Sequence, residues 1–219
     1  VTATGNNTCV ALGGFYDSGY TVYAGTSGIN SGFARSINSG ATFAQTAFIC
    51  DDLLSISDLA VSPVYSEDGT MYMITIGNSG NSILWQTTNG GTTWDAVLTA
   101  GQVITPPSGS ATTVGHFNKV ALSPRFASDT TLFISESGNA PNIWRSTDNG
   151  FRFSPLPTKT GTTGSIDSWA IVSSKKILVG DSAGNFFKAT DSGKTWSQAM
   201  ATGLSNFSSM AISPDYDHD

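Results

Sequence analysis

The stretch WRSTDNGFRF at 144–153 has near-copies at three other places in the chain. These copies are FARSINSGATF at 33–43, WQTTNGGTTW at 85–94 and FKATDSGKTW at 187–196. The aromatic residues that close the four copies are Phe43, Trp94, Phe153 and Trp196. They are 51, 59 and 43 residues apart, and self-similarity at such intervals indicates repeated units joined by loops of unequal length.

A second phrase recurs between the copies and supplies the other strands of each unit. It reads LAVSPVYSEDGTMY at 59–72, VALSPRFASDTTLF at 120–133 and MAISPDYDHD at 210–219, with variants at 10–23 and 169–180. The segments are short and β-rich, and Ser-Pro, Asp-Gly and Asn-Gly turn signals separate them. No helical period of 3.6 is found, so we expect four short strands in each unit.

Each decapeptide has the form Ser/Thr-x-Asp/Asn-x-Gly-x-Thr-Trp/Phe, which suits a tight turn closed by an aromatic residue. Asp or Asn accepts hydrogen bonds from backbone N–H groups, Gly supplies a positive φ, and the aromatic ring fills the space between stacked sheets. The slots are Ser36, Asn38, Gly40, Thr42 and Phe43; Thr87, Asn89, Gly91, Thr93 and Trp94; Ser146, Asp148, Gly150, Arg152 and Phe153; and Ala189, Asp191, Gly193, Thr195 and Trp196. Weaker turns are expected where Ala189 lacks a hydroxyl and where Arg152 replaces Thr. The phrase therefore predicts a structural turn and not a catalytic centre.

The decapeptides resemble the Asp-box, or BNR repeat, of sialidases, sortilin-type receptors, two-propeller xyloglucanases and photosystem-assembly propellers. The Ser-Pro-x-Tyr/Phe-x-x-Asp-x-Thr variant, with its low charge, looks like propeller domains of prokaryotic cell-surface and surface-layer-type proteins. The resemblance implies an all-β fold, a β-propeller of four-stranded antiparallel blades with about six to eight blades in the ring. It also implies that the box lies between the third and fourth strands of a blade, at the outer rim, away from the ligand-binding face.

We expect residues 1–219 to form a single propeller segment. Its blades cover approximately 9–50, 58–100, 119–158 and 168–201, and the inner strand of a fifth begins at 208–219. An open arc would expose aromatic faces to water. The segment is therefore expected to belong to a larger ring, whose remaining blades come from the same or another chain.

Composition narrows the classes of partner. Charged residues make up 12% of the chain and the net charge is −6, which disfavours nucleic acid, because phosphates need a basic face. No apolar run approaches the roughly 20 residues of a membrane helix, so no membrane span is expected in this segment.

Cys9 and Cys50 are either one disulfide or two buried thiols, and their spacing leaves both open. Asn6 and Asn206 begin Asn-x-Ser/Thr triplets and are candidate N-glycosylation sites.

Sialidase chemistry would require arginines that converge on one substrate carboxylate. Arg35 and Arg145 directly precede a decapeptide, Arg152 lies inside one, and Arg125 follows Ser-Pro. We expect these four arginines to be solvated charges at the rim.

Xyloglucanase chemistry would require two carboxylates about 5–10 Å apart. The loops before the inner strands carry Asp51, Asp52, Asp58 and Asp167, on the face where propellers bind ligands. Asp58 and Asp167 are the candidate catalytic residues, with turn and strand-start capping as the alternative.

The candidates for a metal site are incomplete. His116 and His218 have no cysteine partners, and Asp215, Asp217 and Asp219 resemble a calcium loop that lacks its Gly and Glu. We expect no metal and no cofactor.

These observations favour a non-enzymatic, secreted or cell-surface β-propeller that acts as a structural or recognition module for a glycan or protein ligand. One alternative is a glycoside hydrolase of xyloglucanase or sialidase type, with catalytic residues partly outside this segment. A second is an assembly-factor propeller, suggested by the compact fourth unit.

Overall fold

The computed structural model describes residues 6–16, 19–28, 31–47, 53–106, 109–138, 141–157, 160–201, 203, 207, 209–213 and 216. Within these residues the chain forms 18 β-strands and two one-turn α-helices. The predicted all-β class is therefore confirmed.

Sixteen of these strands form four groups of four, which we call blades. The first blade contains β1 (Asn6–Tyr16), β2 (Gly19–Ser27), β3 (Phe33–Ser36) and β4 (Ala44–Ala47), and the second contains β5 (Leu53–Val61), β6 (Met71–Gly77), β7 (Ser82–Thr87) and β8 (Asp95–Thr99). A short hairpin of β9 (Val103–Ile104) and β10 (Thr112–Thr113) follows. The third blade contains β11 (Phe117–Leu122), β12 (Leu132–Glu136), β13 (Ile143–Ser146) and β14 (Ser154–Pro155), and the fourth contains β15 (Ile166–Ile171), β16 (Ile177–Asp181), β17 (Asn185–Ala189) and β18 (Ser197–Ala201).

Each blade follows the simplest antiparallel order, because every strand after the first of a blade pairs with the strand that precedes it in the chain. The first and second blades also share an eight-stranded sheet, since Ser27 at the end of β2 pairs with Ser55 in β5. The prediction of four-stranded antiparallel units is confirmed, and this single bridging pair is an addition to it.

The second strand of a blade is the most deeply buried. All five residues of β12 and all five of β16 are buried, as are Met71–Thr75 of β6. Such strands read as continuous apolar runs because both of their faces are covered.

The chain divides into two compact units, Val1–Ile104 with Ala111–Val120, and Thr105–Ser110 with Ala121–Asp219. The core of the first unit contains Tyr23, Phe33, Ile56, Leu59, Met71 and Met73. The core of the second unit contains Phe133, Ile143, Leu156, Ile166, Ile171, Ile177, Val179 and Phe187. In each unit the core brings together residues of two consecutive blades.

The sequence did not predict the two helices, α1 (Tyr65–Asp68) and α2 (Phe126–Asp129), which follow Ser62-Pro63 and Ser123-Pro124. In the first, the Ser62 hydroxyl donates to Asp68 Oδ2 at 2.7 Å, and Asp68 Oδ1 accepts from the backbone of Thr70 at 2.9 Å. Ser123 and Asp129 repeat these contacts at 2.7 and 3.0 Å, the latter with the backbone of Thr131. A single helical turn is too short to produce a periodic pattern, which is why the sequence predicted a plain turn.

Half of the predicted fifth inner strand at 208–219 lies outside the described residues. Residues 209–213 and 216 are described and are not assigned to a strand. The start of a fifth blade, the approximate blade limits and the assignment of 1–219 to a single segment stay predictions.

Candidate functional site

The four decapeptides occupy the same place in each blade, the turn between the third and fourth strands. They connect β3 to β4, β7 to β8, β13 to β14 and β17 to β18. This is the position that the family resemblance implied.

The turn of the second blade has a complete set of side-chain hydrogen bonds. Thr87 Oγ1 accepts from the backbone N–H groups of Asn89 and Gly91, at 3.3 and 3.0 Å, and donates to Asn89 Oδ1 at 2.9 Å. Asn89 in turn accepts from the Thr93 backbone at 2.9 Å and donates to the Thr93 hydroxyl at 2.8 Å. The turn of the first blade repeats all five bonds through Ser36, Asn38, Gly40 and Thr42.

The backbone of these turns explains the glycine slot. The slot glycine and the residue before it both have positive φ, for example 84° at Gly91 and 69° at Gly90. Three of the preceding residues are not glycine: Ser39, Asn149 and Ser192. The turn therefore holds ordinary residues in the left-handed region, which its side-chain hydrogen bonds help to stabilise.

The two departures from the motif have different consequences. In the third blade Ser146 keeps its three bonds and Asp148 still accepts from the Arg152 backbone at 2.8 Å. The Arg152 guanidinium lies 3.9 Å from Asp148 Oδ2, but its side chain is 78% exposed, so this ion pair adds little stability.

In the fourth blade Ala189 removes the hydroxyl-centred bonds, so Asp191 alone closes the turn. Asp191 Oδ1 accepts from the backbones of Lys194 and Thr195, both at 3.0 Å, and Oδ2 accepts from the Thr195 hydroxyl at 2.6 Å. The Thr195 hydroxyl, followed by backbone N–H groups, lowers the pKa of Asp191.

The closing aromatics do not all fill space between sheets, which corrects the prediction. Phe153 is buried, and Trp94 and Trp196 pack against the cores of their compact units. Trp94 meets Phe33 of the first blade edge-on, with ring centroids 5.4 Å apart. Phe43, in contrast, is among the exposed hydrophobic residues. The turn aromatic of the second blade is thus covered in part by a residue of the first blade.

Asp58, a candidate catalytic residue, lies within β5 and not in the loop before it, which corrects the prediction, and it joins β5 to β11. Its Oδ1 accepts from the backbone of Leu59 at 2.9 Å and its Oδ2 accepts from the backbone of Val120 at 2.8 Å. Burial raises the pKa of Asp58 to about 6, while the two N–H groups and Lys119 act in the opposite direction.

Asp167, the other candidate, lies half-buried in β15 and accepts from the Ser165 hydroxyl at 3.0 Å. Asp58 belongs to the first compact unit and Asp167 to the second. The catalytic role of either residue stays a prediction.

Sequence reasoning missed a polar residue at or near the end of the second strand of each blade. Strand register places Thr26, Thr75, Glu136 and Asp181 at this position. The buried Glu136 accepts from the Trp144 indole N–H at 2.8 Å and from the Asn142 side chain at 2.8 Å. Asp181 accepts from the backbones of Ala183 and Asn185, at 3.1 and 2.8 Å.

The same position carries a hydroxyl in the first two blades. Thr75 accepts from the Trp85 indole N–H at 2.8 Å, and Thr26 accepts from the backbone of Gly32 at 2.8 Å. A polar residue near the end of an otherwise apolar second strand is the signal that could have identified these side-chain hydrogen bonds.

The arginines are less solvated than predicted. Arg125 and Arg152 are exposed, but Arg35 and Arg145 are half-buried, because each lies on a third strand beside a buried aromatic of the second strand. The prediction of solvated rim charges is therefore wrong for these two.

Several predicted residues lie outside the description. These are Cys50, and with it the Cys9–Cys50 disulfide; the side chain of Asn6; and Asn206, Asp51, Asp52, Asp215, Asp217, His218 and Asp219. In the part of the chain that is described, no three His, Cys, Asp or Glu side chains are grouped as metal ligands. The described helices are too short and too polar to cross a membrane.

No family model and no curated protein matches the chain, but solved structures do. YCF48 bound to D1 peptide is similar with a TM-score of 0.58 and 14% identity, over 91% of this chain and 55% of that one. A GH74 enzyme from Niastella koreensis is similar with a TM-score of 0.56 and 20% identity, over 90% of this chain and 31% of that one. A GH74 xyloglucanase from Xanthomonas campestris is similar with a TM-score of 0.58 and 19% identity, over 90% of this chain and 30% of that one. The chain thus spans about half of the first protein and under a third of the others.

At these identities the likeness shows the fold alone. Together with the four antiparallel blades, it defines the chain as a protein of β-propeller fold.

Proposed function

We propose that the chain is part of a non-enzymatic β-propeller of Asp-box (BNR) type, secreted or at the cell surface, that acts as a structural or recognition module. The observation that carries this proposal is the hydrogen bonding of its buried and half-buried acidic side chains. Asp58, Glu136 and Asp181 all accept hydrogen bonds from backbone or indole N–H groups. A carboxylate held in this way stabilises a loop or a strand junction and is poorly placed for proton transfer.

The Asp-box assignment is supported by the turn chemistry and its place in the blade. The first two turns contain the same five side-chain bonds, and all four lie between third and fourth strands. Ligands, a glycan or a protein segment, are proposed to bind at the opposite end of the blades, among the loops that follow second and fourth strands.

The remaining blades of the ring are proposed as partners, supplied by the same or another chain. Support comes from the first blade, where Val10, Leu12 and Phe43 are exposed apolar residues. Covering such a face with another sheet removes apolar surface from water.

Turnover and binding assays test the proposal. The chain would be incubated with xyloglucan oligosaccharides and an aryl sialoside, and profiled on a glycan array. No turnover is expected, and Asp58→Asn and Asp167→Asn should behave like the exposed control Asp95→Asn. Hydrolysis abolished by either candidate substitution, but not by the control, would overturn the non-enzymatic proposal.

A glycoside hydrolase is the second candidate function, and two observations favour it. Two of the similar structures are GH74 enzymes, and the raised pKa of Asp58, about 6, is of the kind a general acid needs. The same turnover assay decides between the two candidates. The assembly-factor alternative is supported by the likeness to YCF48 bound to D1 peptide, and a peptide array would test it.

A further inference from the structure

A cavity of about 500 Å³ opens in the first compact unit, at the end of the blades where the decapeptide turns lie. Its wall includes Tyr23 and Arg35 of the first blade, and Tyr65, Ser66 and Gly90 of the second. A cavity of this size is within the range of small-molecule sites, about 300–1,000 Å³.

The charge of this cavity is positive. Arg35 is half-buried, and its Nη1 lies 3.5 Å from the carbonyl oxygen of Gly90. Among the described residues that line the cavity there is no Asp, Glu or Lys. Arg35 therefore brings one positive charge into a concave site without a carboxylate from the described wall, and a partly desolvated charge gains from a counter-charge.

Two tyrosine hydroxyls lie beside the arginine. The hydroxyls of Tyr23 and Tyr65 are hydrogen-bonded to each other, and one of the two protons makes that bond. The other proton is left to donate elsewhere, because each hydroxyl has one donor and two acceptor positions. Burial and then the Tyr65 hydroxyl raise the pKa of Tyr23, while the charge and hydrogen bond of Arg35 act in the opposite direction.

We propose that this cavity binds a carboxylate group, through the Arg35 guanidinium and a hydroxyl of the Tyr23–Tyr65 pair. A guanidinium presents a planar fork of N–H donors that matches a carboxylate, and a single charge suits a monoanion. The carboxylate belongs either to a small organic acid or to the C-terminus of a peptide. This site is at the turn end of the blades and does not depend on the function proposed above.

The third blade contains a natural control. Arg145 occupies the position of Arg35 in its blade, but it pairs with Phe133 where Arg35 pairs with Tyr23. It has the same guanidinium beside a ring that lacks a hydroxyl.

The test is an NMR titration of the ¹⁵N-labelled 219-residue chain. The probes are sodium acetate and N-acetyl-tetraalanine with a free C-terminus, against the C-terminal amide and sodium chloride at equal ionic strength. Both acids are expected to shift the Ser66 and Gly90 amide resonances, and the amide and chloride are not. Arg35→Gln should weaken binding at least tenfold and Tyr65→Phe about threefold, whereas Arg145→Gln should leave it unchanged.

The outcomes separate the two sources of the carboxylate. Tighter binding of the peptide acid than of acetate supports a peptide C-terminus, and binding of acetate alone supports a small acid. Shifts with neither acid, equal shifts with the amide, or unchanged binding in Arg35→Gln would each overturn the site. If Arg35→Gln does not fold, Arg35→Lys and Tyr65→Phe replace it, and full affinity in both would count against the proposal.

Discussion

The first and second blades carry the same apolar pattern, but corresponding residues have different surroundings. Val10, Leu12 and Phe43 of the first blade align with Leu59, Val61 and Trp94 of the second. Leu59 is 8% exposed, and Val61 and Trp94 pack against the core that the two blades share. In the first blade the three counterparts are 62%, 70% and 48% exposed.

The fourth blade shows which of the two arrangements is the rule. Trp169, Ile171 and Trp196 stand at the same three positions and contact the core that the fourth blade shares with the third. In the second and fourth blades, the first strand and the turn aromatic therefore pack against the core that the blade shares with the one before it. The apolar pattern of a blade specifies a face that another blade must cover, and the residues of that face are buried only where the other blade is present.

The largest expected difference in stability is between truncation of Leu59 and truncation of Val10, which occupy aligned positions in the second and first blades. Leu59→Ala should lower the free energy of unfolding by about 3 kcal/mol, because it leaves a cavity between two blades. Val10→Ala, the matched control on the exposed face, should cost less than about 1 kcal/mol. Urea unfolding followed by circular dichroism measures both. Equal losses would mean that the face of the first blade is covered in solution.

The turn aromatics give a second, smaller contrast. Trp94→Ala should cost about 2.5 kcal/mol, because the half-buried indole packs on Phe33, whereas Phe43→Ala should cost about 1 kcal/mol or less. Thermal unfolding of the two variants beside the unchanged chain checks this. A cost for Phe43→Ala as large as that for Trp94→Ala would contradict the comparison.

Asp58 adds a pH dependence at a position that Cys9 occupies in the first blade. The folded-state pKa of Asp58, about 6, lies above the ordinary 3.8, so the folded chain binds this proton more tightly than the unfolded chain. The stabilisation is complete below pH 4 and is lost as the pH rises through 6, with an expected change of about 3 kcal/mol.

The measurement is the free energy of unfolding from pH 4 to 7 for the unchanged chain and for Asp58→Asn. The substitution should remove this part of the slope, because an amide does not titrate. Identical slopes for the two proteins would show that the pKa of Asp58 is not raised.

The smallest effect should be the same in both blades. Ser36→Ala and Thr87→Val each remove the hydroxyl that closes a turn, and each should cost about 1 kcal/mol. The equality is expected because these bonds are internal to the turns, at 2.9 and 3.0 Å to Gly40 and Gly91. Denaturant midpoints of the two variants provide the check, and a clear difference would link turn stability to the neighbouring blade.

Sequence reasoning succeeded where the interactions are local. Asn89 bonds to Thr93, four residues away, so residue types and spacing were enough to predict the turn. It was less successful for the one-turn helices, because four residues are too few to show a helical period. It also missed the role of Glu136, whose hydrogen-bond partners are brought close to it only by the folded loop that leads to β13.

The sequence by itself thus determined the four-stranded antiparallel unit, the position of its turns and the chemistry that closes them. The tertiary structure alone decided that Phe43 is exposed while Trp94 is half-buried, that Asp58 bonds to Val120, and that Arg35 lines a cavity with two tyrosines. The physical reason is the separation along the chain between the residues that interact. A turn forms from hydrogen bonds between residues two to four positions apart, whereas burial, and the pKa and charge environment that follow from it, depend on strands contributed by another blade.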